Sequence, residues 1–260
     1  MNLSKQIRYV AIFPLKIIKS QLISFHSWFN FILEFQQLKN LGNQKTNRFS
    51  ISFWDLYPCL YDKTSKTDFD RHYVYHTAWA ARIVSKTKPE VHIDISSLIY
   101  FSSIISAFNP VKFYDYRPID LHLDNLSCEA ADLLNLPFKN GSIQSLSCMH
   151  VIEHIGLGRY GDPLDTEGDL KAMAELKRVL SIRGSLLFVV PVGKPKIVFN
   201  AHRIYSYEQV IEYFSDLKLE EFALIPDNPK EGGLIYNASK EIVDSQNYGC
   251  GCFWFRKVNS

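Results

Sequence analysis

The chain has 260 residues, 47% hydrophobic and 22% charged, which suffices for one large core plus a modest extra segment and excludes a globally disordered polypeptide. Its net charge of +2 is unevenly placed: residues 1–50 hold seven Lys or Arg against the single acid Glu34, a net of +6, and the rest sums to −4. A mildly acidic body excludes a nucleic-acid surface spread over the fold and moves any anionic partner to the N-terminal segment. Cys59, Cys128, Cys148, Cys250 and Cys252 are odd in number and lack paired CxxC spacing, so no disulfide framework is expected and a reducing, cytoplasmic setting is.

Residues 1–40 are amphipathic. The apolar runs Val10–Lys19 and Leu22–Leu33 are broken by Pro14, Lys16, Lys19 and His26 and are too short to cross a bilayer. No small-residue cleavage site follows them, as a secretory signal would require. Two expectations compete for this segment. A helix or helical pair would pack its apolar face on the domain or on a second copy, giving a homodimer. Alternatively, a basic aromatic segment would rest on an anionic membrane, placing the protein peripherally at the inner face. Residues 40–50 read as a polar linker, so the expected division is a basic segment 1–50 and an α/β domain 51–260.

Phe53–Asp62 is an aromatic stretch containing Pro58. From Phe69 the pattern turns helical, with Tyr75, Trp79, Ile83 and Val84 at helical spacing in Arg71–Val84. Val91–Leu98 reads as a strand ending in the polar turn Ser96–Ser97. A short apolar helix follows, then a second strand delivering Asp115 and Arg117, which together make a βαβ opening. Asp120–Glu129 reads as a polar connection and Ala131–Phe138 as a short strand or turn. Ile143–Cys148 is a buried strand running into the polar His150–His154, and Gly156–Asp165 is a glycine-rich loop. Thr166 is the expected N-cap of a helix with Asp169 at its third position and Ala172, Leu176, Val179 and Leu180 on its apolar face. Arg183–Gly184 turns into the strand Ser185–Val190. A Ser206-capped helix over Tyr207–Ser215, a strand over Leu219–Ile225 and an edge or hairpin strand at Cys252–Lys257 complete a three-layer α/β fold with a mostly parallel sheet.

In a βαβ unit the ligand lies beyond the carboxyl end of the strands, and an acid closing the second strand can hold a ribose diol. Ser96 and Ser97 stand where such a turn ordinarily uses glycine. A serine fits at negative φ, whereas a left-handed turn costs it roughly 1 kcal/mol. His150-Val-Ile-Glu-His154 has the inverted zinc-protease spacing, but that chemistry needs a helix and a third ligand, and the preceding strand favours structural histidines. Asp162, Asp165, Glu167 and Asp169 lack an EF-hand ladder and suit the first turn of a helix. No metal ligands are assigned to these acids or to Cys250-Gly-Cys252. His72 and His76, four apart on the early helix, are expected as surface or packing residues.

His92-Ile-Asp-Ile-Ser-Ser97, Phe113-Tyr-Asp115, Ala131–Phe138, Cys148–His154 and the Leu180–Leu186 turn into a strand ending at Pro191 together resemble a class I S-adenosylmethionine-dependent methyltransferase, a Rossmann-like fold. The longer motif His154–Asp165, with Tyr57–Leu60, Asp115–Pro118, Gly168–Leu170, Pro191–Gly193 and Asn200–Arg203, is similar to the DUF268 group of bacterial proteins, met in surface-polysaccharide gene neighbourhoods. The resemblance covers residues 53–257. It implies that Asp94, Ser96 and Ser97 face the methionine part of S-adenosylmethionine, that Asp115 takes the ribose hydroxyls, that Asp132 with Leu133 frames the adenine, and that His150 lines the cleft beneath the methyl group. The activity it implies is methyl transfer to a hydroxyl of a glycan or nucleotide-sugar intermediate in surface polysaccharide biosynthesis. A base is then needed; His154 or His202 suits because imidazole titrates near neutrality, with Asp162 as the alternative. Asp162, Arg159 and Tyr160 are also expected to touch substrate from the glycine-bordered loop. The competing expectation is a catalytically inactive Rossmann-like domain acting as a glycan-assembly or membrane-associated interaction protein.

Overall fold

Residues 25–41 and 49–258 are described by the structure, a computed structural model. The expectations for the first 24 residues and for most of the 40–50 linker lie outside the described residues. The chain packs as two units, Met1–Asp68 and Phe69–Ser260. In the first, residues 25–41 form helix α1, and Phe53–Asp55 makes one 3-10 turn capped by Ser52, whose Oγ accepts the Trp54 N–H at 3.2 Å. Phe35 meets Phe53 edge-on at 6.3 Å, and Lys63 pairs with Glu34. Among the described residues no helix is long and apolar enough to cross a membrane.

The second unit runs α2 (Arg71–Thr87), β1 (His92–Ile95), α3 (Ile99–Ile105), β2 (Val111–Asp115), β3 (Leu126–Ala130), β4 (Ile143–Met149), α4 (Gly168–Val179), β5 (Leu180–Val192), β6 (Lys196–Val198), β7 (His202–Ile204), α5 (Tyr207–Tyr213), β8 (Lys218–Ile225), β9 (Ile235–Tyr236), α6 (Lys240–Ser245) and β10 (Gly249–Arg256). The main sheet has the order β3-β2-β1-β4-β5-β10-β8-β9. Its first five strands are parallel, and β10, β8 and β9 join antiparallel. The chain therefore builds outward from β1 in one direction and from β4 in the other. The gap between β1 and β4 is the switch point at which α/β sheets open a crevice for ligands.

Strand alternation divides the core into two layers. Leu186, Phe188 and Val190 of β5 join Leu176 of α4, Phe214 and Phe253 on one face. Leu187 and Val189 of the same strand join Trp79 and Ile83 of α2 and Phe101 of α3 on the other. Helix α2 begins where Asp70 accepts the Tyr73 N–H at 3.2 Å, and Trp79 Nε1 fastens it to Glu221 Oε1 at 2.7 Å. The expected Ser206 cap is present as a reciprocal capping box with Gln209.

The three-layer, mostly parallel α/β architecture is as expected, with local corrections. The stretch read as a polar connection contains β3, an edge strand in which only Leu126 is buried, so it carries no apolar alternation. The Cys252–Lys257 stretch is no edge: β10 lies between β5 and β8 and is buried from Gly249 to Phe255. A near-continuous apolar run is what a strand covered on both faces produces. Helix α4 starts one residue beyond the expected site, with Glu167 rather than Thr166 at the N-cap, and Leu180 heads β5 instead of closing the helix face. Arg183, at φ +65, is an irregularity inside β5 and not a separate turn. The β6–β7 hairpin, β9 and α6 had no clear signature.

Candidate functional site

A cavity of about 350 Å³ opens past the carboxyl ends of β1, β2 and β4, with Ser96, Asp115, Asp132, Leu133 and His150 in its wall and His154 and Asp162 on its loop side. Five of the seven residues expected to hold a cofactor thus share one cleft. Asp94 and Ser97 instead lie beneath it, both buried. Asp94 accepts hydrogen bonds from Ser102 and, at 2.7 Å, from Ser147. Burial pushes its carboxyl up to about 6, against the pull of the Ser102, Ser97 and Ser147 hydrogen bonds. Ser97 Oγ accepts the Met149 N–H at 3.0 Å and ties the end of β1 to the end of β4. These two residues shape the floor of the cleft.

Ser96 adopts φ +54, so the negative φ at which serine is accommodated without strain is not taken. Its N–H and its Oγ both donate to the Tyr114 carbonyl, at 2.7 and 3.3 Å, which holds the left-handed turn against a cost of about 1 kcal/mol. Asp115 closes β2; its Oδ1 accepts the Arg117 N–H at 2.8 Å, and its Oδ2 has no further hydrogen bond among the described residues. Asp132 folds the opposite wall into a turn, accepting the Leu134 N–H at 2.9 Å on Oδ1 and the Asn135 N–H at 3.0 Å on its carbonyl. Leu133 faces the core from that turn.

The loop over the cleft is organised by Asp162. Its carboxylate accepts N–H groups from Gly156 at 2.7 Å, Tyr160 at 3.2 Å and Gly158 at 3.4 Å. Burial opposes ionisation, but these backbone donors outweigh it and hold the carboxyl below its ordinary value. A carboxylate so committed is a weak base, and the geometry suits a loop-shaping role. Gly156, at φ +79, is required here because a Cβ would sit 2.1 Å from the Asp165 carbonyl oxygen. Arg203, which spacing alone did not single out, is buried and donates to the Ile155 carbonyl at 2.6 Å and the Asp165 carbonyl at 3.3 Å while lying 3.5 Å from Asp169. It pins both ends of the loop. Its only sequence signal is its place in the Asn200–Arg203 run.

The helix that a zinc-protease pattern needs is absent. His150 sits at φ +57 after β4, and Ile152–His154 forms a 3-10 turn. The four acids of the loop also diverge: Asp165 pairs with Lys171 at 2.6 Å, and Asp169 accepts the Tyr205 hydroxyl at 2.9 Å.

His154 donates Nδ1–H to the Ala201 carbonyl at 2.6 Å, which leaves Nε2 as the ring's lone-pair nitrogen. His202 does not line the cavity. Its ring lies 4.7 Å from that of Tyr248, and burial lowers its pKa. Tyr248 in turn stacks on His72 at 5.0 Å, and His72 on His150 at 5.4 Å. His76 is fully buried and donates Nδ1–H to the His72 carbonyl at 2.6 Å. A cluster of imidazoles thus adjoins the cleft and shares His150 with it.

Residues 138–221 match the family model described as Caenorhabditis protein of unknown function, DUF268. An uncharacterized protein of Methanocaldococcus jannaschii is 28% identical over 102 residues, 38% of this chain, so that the match spans 38% of that relative's length. Among solved structures, the N-methyltransferase NodS of Bradyrhizobium japonicum, in complex with S-adenosyl-L-homocysteine, has a TM-score of 0.52 at 13% identity, covering 74% of this chain and 90% of its own. A Galdieria sulphuraria protein of the sarcosine dimethylglycine methyltransferase type has a TM-score of 0.50 at 12% identity over 71% of this chain and 86% of its own. At such identities the likeness is one of fold: the chain has a class I methyltransferase-like, Rossmann-type architecture.

Proposed function

We propose that this chain transfers a methyl group from S-adenosylmethionine, held in the cleft, to a hydroxyl of a glycan or nucleotide-sugar intermediate in surface polysaccharide biosynthesis. The observation that carries the cofactor part is Asp115. Its carboxylate stands at the tip of β2, beside the switch point, with one oxygen engaged by Arg117 and the other without a partner among the described residues, as a ribose diol requires. The residues across the cleft fit the rest: the Asp132–Leu134 turn offers an apolar wall for a purine, and the Ser96 turn closes the end toward the amino acid part. When bound, the cofactor supplies a sulfonium-activated methyl group.

The chain's own contribution is positioning and proton removal. His154 lines the cleft with its tautomer fixed by Ala201, so its Nε2 is the nitrogen suited to take a hydroxyl proton. Asp162 holds the loop that carries Tyr160, and His202, outside the cavity, orients the neighbouring cluster. At the mouth, the guanidinium groups of Arg117 and Arg159 lie 5.0 and 5.1 Å from the Tyr160 ring centroid. Two cations gathered on one exposed ring favour a substrate that carries negative charge, and a nucleotide sugar does so.

The left-handed Ser96 favours the second reading, an inactive Rossmann-like domain that serves as an interaction protein. Calorimetry with S-adenosylhomocysteine separates the two. Binding that Asp115→Asn weakens supports the enzyme, and absence of binding at millimolar ligand sinks it. To the basic segment 1–40 we assign, on charge, peripheral contact with an anionic membrane at its cytoplasmic face. If a chain lacking residues 1–40 cosediments with anionic vesicles as the full chain does, that assignment fails.

A further inference from the structure

The imidazole cluster beside the cleft holds a set of donors of which the methyl-transfer reading uses only His150. One ring nitrogen each from His72 and His150 and the Sγ of Cys250 lie within 4.8 Å of one another. They come from three separated elements: the first turn of α2, the residue after β4, and the start of β10. The sheet order alone brings them together.

Two further observations point to a ligand. The Nε2 atoms of His150 and His76 and the Oε2 of Glu153 are buried without a hydrogen-bond partner among the described residues, and a buried orphan of this kind costs about 1–3 kcal/mol when nothing satisfies it. His150 Nδ1 lies 2.8 Å from Glu153 Oε1, with both side chains almost wholly buried. That contact fixes the proton on Nδ1 and leaves Nε2 as the free donor, which is how a metal-ligating histidine is oriented by an outer carboxylate. These donors suit a cation. Neutral imidazoles and a thiol have no positive charge with which to hold an anion, whereas the buried Glu153 carboxylate offsets a positive one.

We propose that His72, His150 and Cys250 bind a zinc(II) ion, with Glu153 as the outer partner of His150. Nitrogen and sulfur donors select zinc over magnesium or calcium, which take oxygen. Binding forms two metal–nitrogen bonds and one metal–sulfur bond and releases the Cys250 thiol proton to water. Bonds of about 2.0–2.3 Å draw the donors closer than they stand in the free chain. His72, the least buried of the three, makes that adjustment by turning its ring off the face of His150, where it now stacks at 11°. Three protein ligands would leave a fourth position for water. The site does not depend on methyl transfer or on S-adenosylmethionine.

The test uses the full chain, stripped with a chelator and titrated with zinc(II), then with cobalt(II) as a spectroscopic probe. The expected result is one equivalent bound, with a thiolate-to-cobalt charge-transfer band and the strong visible bands of a four-coordinate site. Cys250→Ser is expected to lose the charge-transfer band, and His72→Gln to weaken binding more than about tenfold, beyond the lower end of what losing an outer-shell partner costs. Cys252→Ser keeps both signals. Circular dichroism confirms that each variant is folded, and His72→Gln, at the half-buried first turn of α2, serves if Cys250→Ser is not. Absence of stoichiometric metal in the wild type, or retention of the band in folded Cys250→Ser, overturns the proposal.

Discussion

Ser147 Oγ donates to Asp94 Oδ1 at 2.7 Å and lies 2.9 Å from His92 Nε2. The hydroxyl has one proton, which goes to the carboxylate, so His92 must donate from Nε2 and accept from Ser145 at Nδ1, 2.8 Å away. The tautomer of a histidine inside the sheet is thereby set by an acid on its own strand, and the chain from His92 to Ser102 seals the floor of the cleft. Ser147→Ala is expected to leave both His92 and Asp94 short of a partner, at a cost of about 1–3 kcal/mol. Urea unfolding reads this directly; an unchanged midpoint would show that the network is not structural.

The same pair makes stability depend on pH with opposed signs. Burial lowers His92 to about 3, so below its ordinary value of 6.5 the unfolded chain gains a proton that the folded chain cannot. That contribution is fully present above pH 6.5 and is lost as pH falls toward 3. Burial raises Asp94 to about 6 from 3.8, so between these values the folded chain holds the extra proton and stability falls as pH rises. His76, also lowered by burial, adds to the His92 direction. The imidazoles outweigh the single carboxyl, and acidification from pH 7 to 4.5 is expected to destabilise the protein by an amount on the order of a few kcal/mol. His92→Gln should flatten the dependence. A wild-type midpoint that rises on acidification contradicts this assignment.

Ser96→Gly tests the strained turn. At φ +54 glycine escapes the left-handed penalty and gives up only a 3.3 Å hydrogen bond, so a gain of up to about 1 kcal/mol is expected. S-adenosylhomocysteine should bind the variant no more weakly than the wild type. A loss of stability would mean that the Tyr114 contacts of the serine matter more than its backbone strain.

Arg203→Leu removes the clamp under the cleft loop and leaves buried Asp169 without its nearest cation. Breaking a buried pair in this way costs about 3–5 kcal/mol, and Arg203→Lys should recover little because an ammonium cannot reproduce the fork that reaches Ile155 and Asp165 together. Limited proteolysis should then cut within residues 155–165 faster than in the wild type. Equal cutting rates would show that Asp162 alone holds the loop.

Much of the fold was legible in the sequence because β1, β4 and β5 are apolar runs bounded by turns and α2 keeps helical spacing through Trp79 and Ile83. Edge strand β3 was not, since Leu126 alone is buried there and the remaining residues follow no alternation. Nor could β10 be placed, because a late apolar run does not say which neighbours it will have. At the site, Asp94 within β1 and Asp115 at the end of β2 stand out in the sequence by position, but the serines that enclose Asp94 come from α3 and β4. The meeting of His72, His150 and Cys250 has no spacing signature at all; it exists only through sheet order.

The place of β10 also governs the order in which the sheet can assemble. β8 has no pairing with β5, and β9 reaches the sheet only through β8, so the whole antiparallel half is joined to the parallel half by one strand that follows both in the chain. During synthesis the edges of β5 and β8, with Phe188 and Phe222 beside them, remain open until residues 249–256 leave the ribosome and slot between them. Two unpaired edges, open to wrong pairing, thus precede the closing strand in the chain, and completing the sheet requires a strand insertion between partners distant in sequence.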